Sequence, residues 1–233
     1  MVTQVQAGAA AHRRLVQEWI VAGAIGILLA LVAGTALRTF VLGAVVVPSR
    51  SMRETVVPGD HVLISKLVVP RTVTVHIPFT SLTSTWTIPP LRPLSIGDVV
   101  VVHPPPGWFE ETRERKAYLV KRCAGMAGDT LAFDRDVLTV NGRVFLLPST
   151  AAQRTRPRVY HEGGRADTIV VPAGEIFLLG DDPGESVDSR VMGTVPVSSV
   201  VGVAAVIYWS VGLPAGGTEV RHVQWERIGR VVR

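Results

Sequence analysis

From Trp19 to Leu37 the chain runs for nineteen residues without a charge, between Glu18 and Arg38, and this stretch is rich in Leu, Ile, Ala and Val. At 1.5 Å per residue a helix of that length is about 28 Å long, close to the hydrocarbon thickness of a bilayer. A cleavable secretory signal would have a shorter apolar centre, roughly 7 to 15 residues. Here apolar residues continue through Phe40 to Val47, so the stretch reads as an uncleaved transmembrane anchor, not as a leader opened by Arg13 and Arg14. Those two arginines precede the span and Arg38 alone follows it, a bias that favours a cytoplasmic amino terminus and an exported body. The expected layout is a short cytoplasmic segment over 1–18, a signal anchor over 19–37 that extends at most to about 45, and an extracytoplasmic body over 46–233. That describes a single-pass protein of the cell membrane.

A second uncharged run, Val191 to Thr218, carries Pro196, Pro214, repeated Gly and Ser, and eight Val. Branched residues interrupted by Pro suit buried strands better than a second span. The rest of the body reads the same way. His61–Leu67, Gly97–His103, Tyr118–Cys123, Val137–Phe145, Thr168–Val171, Glu175–Leu179 and Val201–Trp209 are rich in Val, Ile, Leu and aromatics. Asn141-Gly142 between two such runs is a two-residue hairpin signal. Thr80 to Ser95 reads as a Pro-rich surface loop, with Trp86, Ile88 and Leu91 as candidate lipid contacts. Ser149 to Asp167 reads as an exposed, Arg-rich part of an insertion around 132–175. The fold class expected is mainly β, a β-barrel or coiled sheet behind one amino-terminal helix.

Charge narrows the partners. The net charge is +5, but 21 of the 24 basic residues are Arg and no four basic residues are consecutive, so no nucleic-acid groove is expected. The lone Cys123 excludes an intrachain disulfide and a Cys-rich zinc site.

Three segments carry chemistry. Val47-Pro48-Ser49-Arg50-Ser51-Met52 places hydroxyls just beyond the anchor, and a hydroxyl becomes a nucleophile when a neighbouring base takes its proton. The six histidines sit in no Gly-x-Ser-x-Gly elbow and no His-Glu-x-x-His pair. Lys is the other candidate base. Of Lys66, Lys116 and Lys121, only Lys121 is embedded in an apolar strand-like run, Tyr118-Leu119-Val120-Lys121-Arg122-Cys123, whereas Lys116 follows the charged stretch Glu110–Arg115. Burial disfavours an ammonium and lowers its pKa from about 10.4 toward neutrality; a Lys that leans out to solvent would not be affected. The third segment, Phe177 to Arg190, runs from an apolar strand into a turn with Asp181, Asp182, Glu185, Ser186, Asp188 and Arg190. Its spacing allows an Asp188–Arg190 ion pair and a Ser186 hydroxyl that holds an amine. A calcium-like acidic loop and a structural turn are the other readings of the same string.

In their order along the chain, these segments resemble the bacterial type I signal peptidases, the membrane-bound Ser/Lys endopeptidases of the S26 family. The likeness rests on the anchor, Pro48-Ser49-Arg50-Ser51-Met52, Gly59-Asp60-His61-Val62-Leu63-Ile64, Gly97-Asp98-Val99-Val100-Val101, Tyr118–Arg122 with Gly125-Met126-Ala127-Gly128-Asp129, and Gly180-Asp181 with Ser186–Arg190. The resemblance implies that Ser51 is the nucleophile and Lys121 the general base. It implies that Ser186 orients the amine, that Asp188 and Arg190 support the site, and that Ser49 joins the Ser51 N–H in an oxyanion hole. It further implies cleavage of signal peptides from secretory preproteins after Ala-x-Ala, with pockets near Val47, Pro48, Met52, Leu119 and Val120. The implied partners are preproteins and the lipid bilayer; no metal or organic cofactor is implied and no oligomer is required. The chain departs from the family pattern at Glu54 and Ala127, where Pro is usual, and at Asp182 and Pro183, where Asn and Arg are usual. Arg50 and Glu54 place charge beside Ser51 where smaller or neutral residues are common. A self-cleaving repressor also uses a Ser/Lys dyad on a β body, but it carries a soluble helix-turn-helix domain where this chain has its span. An inert anchored peptide-binding domain would have no need of both Ser51 and Lys121.

Overall fold

The computed structural model describes residues 2–76, 82–105, 118–134, 137–148, 167–212 and 222–233, in two compact units, Met1–Val41 and Leu42–Arg233. The first unit is helix α1, Val2–Ala36, continued by a π-helical turn, Leu37–Val41. Within it, Gln17–Val41 is long and apolar enough to cross a membrane, and its large side chains face outward, Trp19 being 78% and Leu28 61% exposed. Among the described residues of that unit nothing covers this surface, which is the condition a bilayer satisfies.

The second unit is mainly β, as the sequence predicts. Its strands are β1 (Leu42–Val46), β2 (Asp60–Ser65), β3 (Arg71–His76), β4 (Thr83–Ile88), β5 (Val99–Val102), β6 (Leu119–Met126), β7 (Thr130–Asp134), β8 (Val137–Val140), β9 (Arg143–Phe145), β10 (Asp167–Val170), β11 (Glu175–Leu179), β12 (Val195–Pro196) and β13 (Val200–Ser210). They form a seven-stranded sheet in the order β1-β2-β13-β5-β6-β11-β12, a four-stranded sheet β10-β7-β8-β9 and the ribbon β3-β4. Register shifts in β13 at Val200/Gly202, Ala204/Val206 and Ile207/Trp209 mark the bulges at which such a strand bends and the sheet coils.

The sheet's centre reads as unbroken apolar runs because both of its faces are covered. All four residues of β5 are buried; Val100 and Val102 pack with Leu119, Cys123 and Leu178, whereas Val99 and Val101 pack with Val62, Val120 and Ile207. Each side chain of this kind contributes roughly 1.5–3 kcal/mol when fully buried. A third cluster, Leu131, Phe133, Leu138 and Phe177 among others, joins the four-stranded sheet to β11. Asn141 and Gly142 both adopt positive φ, 51° and 76°, in the hairpin that pairs β8 with β9. That is the conformation expected of Asn-Gly between two strands.

Two readings change. Leu42–Val46, which continued the apolar stretch after the anchor, form β1, because alternate residues have β2 to pair with and Val45 is buried. Within Thr80–Ser95, read as a loop, Thr83–Ile88 form β4, paired along its length with β3. The alternating Thr-x-Thr pattern supplies β-branched residues without burial, so no apolar signal announced the strand. In the second uncharged run, Val200–Ser210 form β13, a strand and not a span. Glu110–Arg115, Lys116, residues 149–166 of the polar segment and Pro214 lie outside the described residues.

Candidate active site

Ser51 lies in the turn that follows β1. Val47 N–H donates to the Asp60 carbonyl at 2.8 Å and Gly59 N–H donates to the Val47 carbonyl at 3.1 Å, which ties the ends of the segment together. Inside it, Thr55 and Val56 N–H both donate to the Met52 carbonyl, at 2.9 and 2.7 Å, and the buried Met52 and Val56 side chains fasten the turn to the core. Ser51 itself is 4% exposed, and its Oγ lies 3.4 Å from Ser49 Oγ.

Lys121 sits in mid-β6, 3% exposed. Successive strand residues point to opposite faces, so Lys121 and Arg122 serve different networks. Lys121 Nζ donates to Ser186 Oγ at 2.7 Å, and Ser186 Oγ donates to Asp188 Oδ2 at 2.6 Å. Asp188 also accepts from Gly180 N–H at 2.9 Å and from Arg190 Nε and Nη2, both at 2.8 Å, and it caps the short helix α2, Ser189–Met192. The expected Asp188–Arg190 ion pair is thus present, with side chains 0% and 5% exposed. The chain enters this loop through Gly180. A Cβ there would stand 2.3 Å from Ser186 Oγ and 2.7 Å from the Ser51 carbonyl, so only glycine lets the two come together. Asp182 N–H completes the junction by donating to the Ser51 carbonyl at 3.0 Å.

On the other face of β6, Arg122 and Asp181 form a fork-to-fork pair, Nε to Oδ1 and Nη2 to Oδ2 at 2.7 Å each. Arg122 also donates to Thr55 Oγ1 at 3.0 Å and to the Gly97 carbonyl at 2.7 Å, and Thr55 Oγ1 donates to Asp181. The Ser51 turn, β6 and the Gly180 loop are therefore bound through one charged cluster. The sequence reading gave Arg122 and Thr55 no role and placed Asp181 only in the acidic string of the calcium-like alternative. The available signal was Lys121-Arg122 itself, two adjacent cations in an apolar strand, each of which needs a buried acceptor. Three of the four carboxylates of the acidic segment face arginines: Asp181 faces Arg122, Asp182 faces Arg53 and Asp188 faces Arg190. Among the described residues no group of three His, Cys, Asp or Glu could hold a metal ion.

The five residues expected at substrate pockets are mostly interior. Val47, Met52 and Val120 belong to one core cluster and Leu119 to another, all at most 6% exposed, and Pro48 alone is exposed. Cys123 is buried beside Met126, and burial pushes its thiol up to about 12, so it offers no thiolate.

Comparison with known proteins decides the family. The model described as signal peptidase, peptidase S26, matches residues 16–209. The chain belongs to that family. Signal peptidase I of Leptolyngbya laminosa is 28% identical to it over 183 residues, 78% of this chain and 76% of that protein. Signal peptidase I of Mycobacterium tuberculosis is 27% identical over 242 residues, 85% and 74% of the two chains. A solved signal peptidase I from Enterococcus faecalis V583 covers 48% of this chain and 97% of its own at 26% identity, with a TM-score of 0.35. The chain is therefore a bacterial type I signal peptidase, a serine peptidase that cleaves signal peptides, and its amino-terminal apolar helix has the length and composition to cross a membrane.

The carboxylates that brace this signal peptidase should make its body acid-sensitive. Burial raises the Asp188 carboxyl, but the hydrogen bonds and charge of Arg190, the charge of Lys121 and the Ser186 hydroxyl outweigh it and hold the group below the ordinary value of 3.8. Asp60 behaves alike: burial raises it, while Arg227, Ser210 and the Val57 N–H lower it further. A carboxyl whose folded pKa is depressed contributes stability that is present above the unfolded value and is lost as pH falls through the folded one. Thermal unfolding should therefore show stability falling as pH drops below about 4. Asp60→Asn should be less stable at neutral pH, with a shallower acid limb; an unchanged limb would contradict the assignment.

Proposed function

We propose that this signal peptidase cuts preproteins after Ala-x-Ala through a Ser51/Lys121 dyad. Ser51 Oγ attacks the carbonyl after a small residue while the neutral Lys121 amine takes its proton. The Ser51 N–H and the Ser49 hydroxyl receive the developing oxyanion. Lys121 then returns the proton to the leaving amine, and a water hydrolyses the acyl-enzyme by the same route.

The observation that carries the reading is the chain of hydrogen bonds from Lys121 through Ser186 to Asp188. A hydroxyl has one proton to give. That of Ser186 goes to Asp188, so Ser186 can only accept from Lys121. The bond to Ser186 thus does not use the lone pair of a neutral Lys121 amine, and Ser51 lies in the turn that Gly180 and Asp182 hold against the same loop. The substrate's route has support from the topology. β1 lies at the edge of the seven-stranded sheet and runs directly into Pro48-Ser49-Arg50-Ser51, so an extended segment can pair along its open side. An anchor that confines enzyme and tethered substrate to one surface raises their effective concentration. The deciding assay is preprotein cleavage by the wild type beside Ser51→Ala; retained cleavage by the variant would end the reading.

The orientation belongs to the same proposal, with residues 1–18 cytoplasmic and the body outside. Protease added to spheroplasts should digest the body and leave a short amino-terminal fragment. A fully protected body would reverse the topology.

A further inference from the structure

A cleft of about 870 Å³ opens beside Ser49, walled on one side by the Ser51 turn and on the other by the segment that follows residue 222. Among the described residues four arginines line it, Arg50, Arg53, Arg227 and Arg230, with one carboxylate, Glu226. Two of these arginines are engaged. Arg53 Nε is 2.6 Å from Asp182 and Arg227 Nη2 is 2.6 Å from Asp60. Arg50 and Arg230 are exposed, and among the described residues neither side chain has a hydrogen bond or ion pair. Two uncommitted guanidinium groups, one on each wall, thus face a cleft that begins at a hydroxyl 3.4 Å from Ser51 Oγ.

We infer that this cleft receives a carboxylate side chain carried by the substrate on the carboxyl side of the scissile bond, held between Arg50 and Arg230. The inference rests on the reading of Ser51 as nucleophile. Guanidinium groups match carboxylates in geometry and charge. The signal-peptide side of the bond, with its apolar core and small residues, has nothing to pair with them and would leave them unsatisfied. The departing segment is the part of a preprotein free to carry Asp or Glu, so charge complementarity places it here. The cleft thereby adds a preference at the mature end to the small-residue requirement at the other.

The test uses the full-length chain in nonionic detergent and synthetic preprotein peptides that differ only in the first four residues after the cut, Asp or Glu against Asn or Gln. At low ionic strength the acidic peptides should be cleaved about tenfold better in kcat/KM, mainly through KM, and the advantage should shrink as salt screens exposed charges. Arg50→Gln/Arg230→Gln should bring the acidic-to-amide ratio to about one, and Arg230→Glu should shift the preference toward Lys at the same positions. A ratio of one in the wild type would overturn the proposal. So would an equal gain from a carboxylate placed before the cut, which would assign the effect to the overall positive field. If the wild-type ratio is one and Arg50→Gln/Arg230→Gln instead weakens binding to phosphatidylglycerol vesicles relative to phosphatidylcholine, the cleft serves a lipid headgroup and the substrate assignment falls. Ser51→Ala is run with both peptides: residual cleavage there would defeat the underlying site assignment, whereas an inactive Ser51→Ala with no acidic preference in the wild type would defeat the cleft alone.

Discussion

Ser51→Ala and Lys121→Met should each lower preprotein processing by at least about 10⁴-fold, and the double variant should be no worse than either alone. On the proposed mechanism neither group works without the other: a neutral hydroxyl is a poor nucleophile, and an amine without a hydroxyl beside it has no proton to take. Single-turnover cleavage of one preprotein by the four proteins gives the cycle. Ser49→Ala supplies the internal scale. It removes one proposed oxyanion donor and leaves the dyad, so it should cost about 10²- to 10³-fold. Circular dichroism should show the β body intact in all of them, since Ser51 and Lys121 are not partners in the charged cluster around Arg122. Lys121→Met cleaving at near-normal rates, or effects that multiply in the double variant, would assign the base elsewhere.

Arg122→Met should be among the most destabilising substitutions in the body, by about 3–5 kcal/mol, because it strands a carboxylate in the interior. Asp181 is 0% exposed, and without Arg122 its remaining side-chain partner is Thr55. The same substitution removes the contacts of Arg122 with the Gly97 carbonyl and Thr55 Oγ1, so β6 loses its fastening to the Ser51 turn. Activity should fall with stability even though Arg122 touches no reacting atom. Arg122→Met/Asp181→Leu should recover much of the loss, since a well-packed apolar pair often replaces a buried ion pair at little cost. Its activity should stay low because the turn is no longer held by charge-assisted hydrogen bonds. Chemical denaturation of the full chain in detergent measures both. A loss below about 1 kcal/mol for Arg122→Met would mean that Asp181 finds water or another partner, and the cluster would not be the brace described.

Much of the architecture was legible from local pattern. Glu175–Leu179 is legible to the residue as a strand, Asn141-Gly142 as the hairpin turn between β8 and β9, and Val201–Trp209 as a strand inside a long uncharged run. Each has a signal contained within a few residues: β-branched content, or a dipeptide that tolerates positive φ. β1 and β4 were missed for opposite reasons. β1 continues the apolar composition of the anchor, so composition could not mark where helix ends and strand begins, whereas β4 is polar and exposed and owes its existence to pairing with β3.

The same division runs through the site. By itself the sequence determined the features that depend on neighbours in the chain: the length and apolarity of the anchor, the closeness of Ser49 to Ser51, and the pairing of Asp188 with Arg190 two residues on. Only the tertiary structure decided that Lys121 reaches Ser186, 65 residues away, and that Arg122 meets Asp181 at a separation of 59 and Thr55 at 67. The antiparallel register of β6 and β11 sets Leu179 opposite Arg122, which delivers Gly180, Asp181 and the Ser186 loop to the right end of β6. Side-chain periodicity tells a residue which face it occupies. Which residue stands opposite is fixed by strand register and by a glycine with no room for a Cβ, and these follow from packing over the whole sheet.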